Sequence, residues 1–419
     1  MRHTVFLLAA LGSPSVAWTA SLRAQQPLTL EGALHEARAA NAQLPLAAFE
    51  TRIGEAQLRE ARGMRGPRFS IEGDVHGGTP ADYAGADSRL QLLAQQPLYD
   101  GGALAAGVRV ARAGVDERQA QYRIAEKDLD LEVRVAFARV LQLDTVIVMR
   151  RLGLARLETY IKVIEARRAG GEGVAADLLK TKVQLGDAEA GLGEAERSRD
   201  QAGRAINHLL GRDPDTPLVL VPLPAPVAPP DTVAETWSGA PELRQSDAQI
   251  AAAQSSVALV AAERRPHLDL ELNAGTQPAF GMFGSGINNG HGQGVEFLIS
   301  LSWPLFDFGR YGARRAQARL VTERALQADV AVRRLVRLAW SQAKAELAAR
   351  YREVQTRVRT AGIAEDSYLA SESLYRGGGA TALDVLEAYA TWIAANEAAA
   401  EAAFNHRVAE AQLVRWGTP

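Results

Sequence analysis

The sequence predicts a mainly α chain that meets a membrane through β-strands, with four strands and two long helical hairpins arranged as two internal repeats. Three observations predict it. Two stretches of more than 100 residues contain no proline, between Pro97 and Pro214 and between Pro304 and Pro419. Four short segments alternate apolar and polar residues with a period of two. Two short motifs recur at a fixed offset of 207 residues.

The first segment of the 419-residue chain reads as a secretory signal. Arg2 and His3 precede an apolar run from Val5 to Leu11, and small residues then offer cleavage after Ala17 or after Ala24. Loss of residues 1–24 removes two arginines and no acid, which moves the formal net charge from −2 to −4. That balance excludes a polyanion-binding protein, so no nucleic-acid partner is expected. The chain has no cysteine, hence no disulfide and no N-terminal lipid anchor. Beyond the signal, no apolar run reaches the ~18 residues of a transmembrane helix. A membrane crossing must therefore use strands.

Proline costs a helix interior ~3 kcal/mol, so its absence over such lengths marks long helices. In the first stretch Leu129, Val133, Ala136, Val140, Leu143, Ile147, Leu154, Leu157, Ile161 and Ile164 follow a 4-3 spacing, interrupted by Arg150. That is coiled-coil periodicity. Leu347, Tyr351, Val354, Val358 and Ala361 repeat it more weakly in the second. Each stretch has one glycine break, at Gly170, Gly171 and Gly173 and at Gly377, Gly378 and Gly379. Each is therefore read as a hairpin, over 101–211 and 308–416, with an arm reaching roughly 95 Å at ~1.5 Å per residue.

Two strands precede each hairpin. Over 67–79, Phe69, Ile71 and Val75 alternate with Ser70, Glu72, Asp74 and His76. Over 88–98 the apolar set is Leu90, Leu92 and Ala94. Over 266–277, Leu268, Leu270, Leu272 and Ala274 alternate with Asp269, Glu271 and Asn273. Over 294–304, Val295, Phe297, Ile299, Leu301 and Trp303 alternate with Glu296, Ser300 and Ser302. Each strand thus has one apolar and one polar face. Glycine-rich and polar residues join the strands, and residues 214–241 read as a proline-rich linker between repeats 25–213 and 242–419.

Pro97-Leu98-Tyr99-Asp100 matches Pro304-Leu305-Phe306-Asp307, and Asp177-Leu178-Leu179 matches Asp384-Val385-Leu386. Arg65-Gly66-Pro67 corresponds to Arg264-Arg265-Pro266 at a smaller offset. At each strand exit the proline ends the ladder, and Asp100 or Asp307 caps the helix that follows. Four strands cannot close a membrane barrel, which needs about eight or more, so one chain alone cannot span.

No motif for catalysis, nucleotide binding or a resident cofactor is present: the chain lacks G-x-S-x-G, H-E-x-x-H and a phosphate-binding loop. Gly281, Gly284 and Gly286 form a loop with no helix after them, and the seven histidines lack metal-ligand spacing. Glu72, Asp74, Asp269, Glu271 and Glu296 either line a lumen or solvate a wet face.

The element order, the repeat, the strand-exit motif and the segment from Tyr375 to Glu387 resemble the TolC-type outer membrane efflux protein family over about residues 28–416. The resemblance implies a homotrimer with a 12-stranded barrel in outer membrane lipid and a 12-helix periplasmic tunnel. It also implies a periplasmic adaptor and an inner-membrane pump as partners, with passive exit of cargo and no enzymatic activity. It places the glycine turns at an adaptor-facing tunnel tip, where Tyr375 and Asp177 hold the entrance closed and Asp384 and Glu387 form an acidic constriction. Without it, Asp177, Asp384 and Glu387 are first-turn helix charges. Some members place a gate arginine where this chain has Ala380, and Arg376 is the candidate substitute. A periplasmic coiled-coil structural or adaptor protein is the alternative, but it has no need of amphipathic strands.

Overall fold

The computed structural model describes residues 27–78, 85–171, 174–229, 236–275, 285–288 and 294–417. The expected signal, Gly173 and most of the strand-connecting loops lie outside them, as do the side chains of 74–89 and 285–288, Asp74 among them. Helices dominate. In chain order they are α1 (Leu30–Ala40), α2 (Gln43–Gly63), α3 (Ala103–Ala169), α4 (Ala175–Leu209), α5 (Pro241–Ala262), α6 (Arg310–Arg376) and α7 (Ala382–Trp416). The strands are β1 (Arg68–Gly78), β2 (Gly85–Tyr99), β3 (His267–Gly275), β4 (Ser285–Asn288) and β5 (Gly294–Ser302).

All strand pairs are antiparallel, and the sheet order is β1-β2-β3-β5-β4. Residues opposite each other in an antiparallel ladder share a face. The register therefore gathers one apolar face across the strands: Ile71 opposes Leu92, Leu92 opposes Ala274, and Ala274 opposes Val295. The other face collects polar groups, with Gln95 opposite Glu271 and Asn273 opposite Glu296.

Two features depart from the sequence expectation. Strand β2 does not stop at Pro97 but runs to Tyr99, with a register shift between Pro97 and Tyr99. Proline has no N–H for the ladder, and the irregularity absorbs its absence. A fifth, short strand, β4, lies within the loop expected to be unstructured and pairs with the start of β5.

Helices α3 and α6 have 67 residues each, about 100 Å at ~1.5 Å per residue. Helices α4 and α7 have only 35 each, so they accompany the tip-side portion alone. Nearer the sheet, α2 packs on α3, and α5 packs on both α3 and α6. The described part of the linker is a packed belt. Leu28 and Val219–Val221 exchange backbone bonds of 2.8 and 2.9 Å, and Leu218 and Leu220 join a core with Leu34, Phe137 and Ile206.

The periodic stripe on α3 buries Leu129, Val133, Val140, Leu143, Ile147, Leu157 and Ile164. Near the tip it shifts by one residue, burying Tyr160 rather than Ile161. The larger ring fills the gap against α6 and α7. Gly153 on the same stripe admits α7, since a Cβ there would lie 2.8 Å from the Tyr389 hydroxyl.

Candidate gate at the hairpin tips

Both hairpins turn on glycine. Gly171 and Gly378 adopt φ of +84° and +79°, where an L-residue is strained. At the second turn the Gly379 N–H donates to the Leu374 carbonyl at 2.8 Å and the Gly378 N–H to the Tyr375 carbonyl at 3.1 Å, which satisfies the last carbonyls of α6. Thr381 then caps α7. Its hydroxyl accepts from the Asp384 N–H at 3.3 Å, while its own N–H donates to the Asp384 carboxylate at 2.7 Å. This reciprocal capping box holds the Asp384 carboxyl below the usual carboxylate range, through the Thr381 N–H first and the Thr381 hydroxyl second. Asp384 and Glu387 both lie on the exposed face of α7.

Tyr375 and Asp177 are brought together, with two residues the sequence reading did not single out. Tyr375 is 4% exposed and meets Tyr160 of α3 edge-to-face at 5.2 Å between ring centres. Burial pushes the Tyr375 phenol up, and the Asp177 carboxylate adds to it against the opposing Arg167. Tyr160 shifts in the same direction, again by burial first and with Asp177 contributing. Arg167 crosses from α3 to donate to the Tyr375 carbonyl, and its guanidinium carbon lies 4.9 Å from the Tyr375 ring centre. The stripe Leu157, Tyr160, Ile164, Arg167 carries a 3-4-3 spacing that could have revealed both.

Arg376 points along its own helix in the single chain. It pairs at 2.6 Å with Glu372 one turn back on its own helix, and Ala380 beside it carries no charge. Several arginines reach across the hairpins; nearest the tip are Arg167 and then Arg156, with Arg150 paired to Glu397 beyond them. The Arg156 guanidinium carbon lies 4.1 Å from the Trp392 ring centre, and its Nη2 pairs with Glu365 at 2.6 Å. Tyr368 stacks on the same indole at 5.5 Å, so α3, α6 and α7 meet in one aromatic core.

At the opposite end, the strand-to-helix junctions hold the remaining candidates. The Asp100 carboxylate accepts from the N–H groups of Gly102, at 2.9 Å, and Leu104. Burial works against its ionisation, yet those donors, Leu104 first, keep its carboxyl below the ordinary value. Asp307 accepts from Gly309 at 3.2 Å and Tyr311 at 2.5 Å.

A small antiparallel sheet with an unsatisfied apolar face, continued by helices of about 100 Å, defines the class of outer-membrane channel folds. The chain belongs to the outer membrane efflux protein family, whose model matches residues 33–212 and 233–416. Among solved structures it resembles CusC, with a TM-score of 0.81, 16% identity and coverage of 93% of this chain and 92% of that one. It also resembles the outer membrane protein VceC from Vibrio cholerae, with a TM-score of 0.78, 18% identity and coverage of 92% and 95%. Identities this low speak for the fold. Protein CyaE of Bordetella pertussis is 28% identical over 263 residues, which cover 59% of this chain and 54% of that protein. The chain thus spans about half the length of that curated relative.

Proposed function

We propose that three copies of this chain form an outer membrane duct for passive exit of cargo, fed by an inner-membrane pump through a periplasmic adaptor. The observation that carries the proposal is the incompleteness of the single chain. Phe69, Ile71, Leu92, Val295, Ile299 and Leu301 are exposed on one face of the sheet. Among the described residues both sheet edges are open: β1 along its outer side, and β5 beyond the stretch that β4 covers. Open edges and a bare apolar face are unstable in water and inadmissible in lipid. Three copies of the four longer strands make a closed 12-stranded barrel, its apolar face to lipid and its polar face to the lumen.

The helices support the same closure. Helix α5 fills the space between α3 and α6, whereas α2 contacts α3 and leaves Leu46, Phe49 and Ile53 exposed. Helix α6 correspondingly exposes Leu320, Leu335 and Leu338. Placing α2 of one copy against α6 of the next repeats the α5 arrangement, treats the chain as two repeats and yields a 12-helix tunnel.

In this reading Tyr375, Asp177, Tyr160 and Arg167 hold each pair of hairpins together at a periplasmic entrance. Asp384 and Glu387 present carboxylates to its axis, and the turns at Gly170, Gly171, Gly173 and Gly377–Gly379 face the adaptor. Asp100 and Asp307 fix the angle at which tunnel helices leave the barrel. Light scattering in detergent should give the mass of three chains, and planar bilayers should show discrete conductance steps. A folded monomer without conductance would refute the proposal.

A further inference from the structure

The two strand-to-helix junctions share one backbone conformation but have opposite surroundings. Gly101 and Gly102 have φ of +64° and +92°, and Phe308 and Gly309 have φ of +54° and +88°. Asp100 and Asp307 accept from the same two relative positions. At the first junction there is no room for a side chain. A Cβ on Gly101 would lie 2.5 Å from the Arg265 Cβ and 2.9 Å from the Ala262 carbonyl oxygen. The link between α5 and β3 occupies that space.

At the second junction the corresponding residue is Phe308, which is 92% exposed. Among the described residues it is the one non-glycine with positive φ. A bulky side chain in this region costs free energy that glycine avoids, and leaving a phenyl ring in water costs more. Phe306 packs edge-to-face against it at 4.7 Å and is itself exposed.

The link between α2 and β1 is the counterpart of the link between α5 and β3. Where the latter has Ala262 and Arg265, the former has Gly63 and Gly66. A Cβ on Gly63 would meet nothing within 4 Å, and one on Gly66 would meet only the Gly63 carbonyl oxygen at 3.4 Å. Neither has a left-handed φ. Among the described residues of the single chain, nothing requires glycine at either position. Large and small are therefore exchanged between the two junctions: glycine beneath an arginine at one, phenylalanine at the other with its counterpart surface cut back to glycine.

We infer that Phe308 seats in the notch over Gly63 and Gly66 of an adjacent copy of this chain, as the knob that fixes the seam between copies. The inference rests on the proposed ring, in which β5 of one copy lies beside β1 of the next. That arrangement repeats the contact of β2 with β3, where Tyr99 opposes Leu268. The matching pair across the seam is Phe306 with Phe69, and both are exposed.

The cysteine-free chain makes the test clean. Full-length protein carrying Phe308→Cys and Gly66→Cys, purified in detergent and oxidised, should run as a covalent trimer on a denaturing gel, with each single variant running as a monomer. Light scattering on the same samples separates the two claims. A trimer by mass whose chains do not link, even with a short thiol-specific cross-linker, overturns the inference and leaves the ring standing. A monomer by mass overturns both. Size exchange gives a second reading. Gly66→Leu should lower the trimer fraction several-fold on dilution, and adding Phe308→Gly should restore it. Gly66→Leu without effect, or labelling of Phe308→Cys in intact trimers by a membrane-embedded thiol reagent, shows that the ring faces lipid and overturns the inference.

Discussion

The Arg167 guanidinium, reaching from α3, donates to the backbone carbonyl of Tyr375 at the end of α6 and lies over that residue's ring. One side chain thus grips both the backbone and the aromatic face of its neighbour. A hydrogen bond from a charged donor contributes about 1.5–3 kcal/mol. If the bond belongs to the closed tip, Arg167→Ala should shift the balance toward open by roughly tenfold or more. Single-channel recordings should show higher open probability, and Tyr375→Phe, which keeps the carbonyl and the ring, should show a smaller effect. Unchanged recordings for Arg167→Ala would leave it a packing residue.

The capping box changes what is expected of the acidic constriction. Asp384→Ala would remove a partner in the helix cap as well as a charge, so Asp384→Asn is the sharper substitution. Combined with Glu387→Gln, it should weaken block by multivalent cations roughly tenfold without raising basal conductance. The Thr381 donors hold the Asp384 carboxyl below the usual range within one chain. Carboxylates gathered around an axis raise one another's proton affinity, so acidification should weaken block by a trivalent cation as the ring protonates. Block unaffected by the double substitution would leave both residues as helix-terminal charges.

Glu72, Asp269, Glu271 and Glu296 sit on the polar face of the sheet. Fixed carboxylates on a lumen wall concentrate cations, an effect screened by salt. Reversal potentials across a salt gradient should show cation preference, strongest at low ionic strength. Glu271→Gln with Asp269→Asn should move the reversal potential toward zero, and anion preference in the unaltered protein would exclude the lumen assignment.

His406 offers a pH test away from the gate. It is 2% exposed on α7, beside the Tyr351 ring, and neither ring nitrogen has a hydrogen-bond partner. Burial lowers its affinity for a proton, with Glu410 opposing and Arg407 reinforcing that effect. The unfolded chain then binds the proton more readily than the native one, so stability is full above about pH 6.5 and declines as pH falls below it. The helical melting temperature should drop between pH 7.5 and 5.5. His406→Leu should flatten that part of the dependence, and an unchanged slope would show that other groups govern it.

The long helices were legible because proline absence and a stripe such as Leu129, Val133 and Val140 are properties of the chain itself. So was most of the sheet, where the alternation at Leu268, Leu270 and Leu272 assigns each of these side chains to a face. Contacts between hairpins were not, because periodicity names a face and not its partner. Tyr160 replaced Ile161 in the core since three helices meet there and the larger ring fits. The pairing of Arg376 with Glu372 one turn back was equally hidden, although an acid four residues before an arginine on a helix is its natural neighbour. The run of β2 past Pro97 escaped notice because a bulge leaves no fixed sequence mark.

The beams α3 and α6 are unbroken from rim to tip, while the second layer beside them is spliced: α2 and α5 on one side of the join, α4 and α7 on the other. A spliced laminate bends most easily at its splice. Torque applied by a partner at the hairpin ends would therefore be absorbed at mid-height, where the belt of residues 214–229 crosses, and little of it would reach the membrane. In the proposed ring, an entrance at the hairpin ends would then open while the rim in the bilayer stays still, which spares the lipid seal.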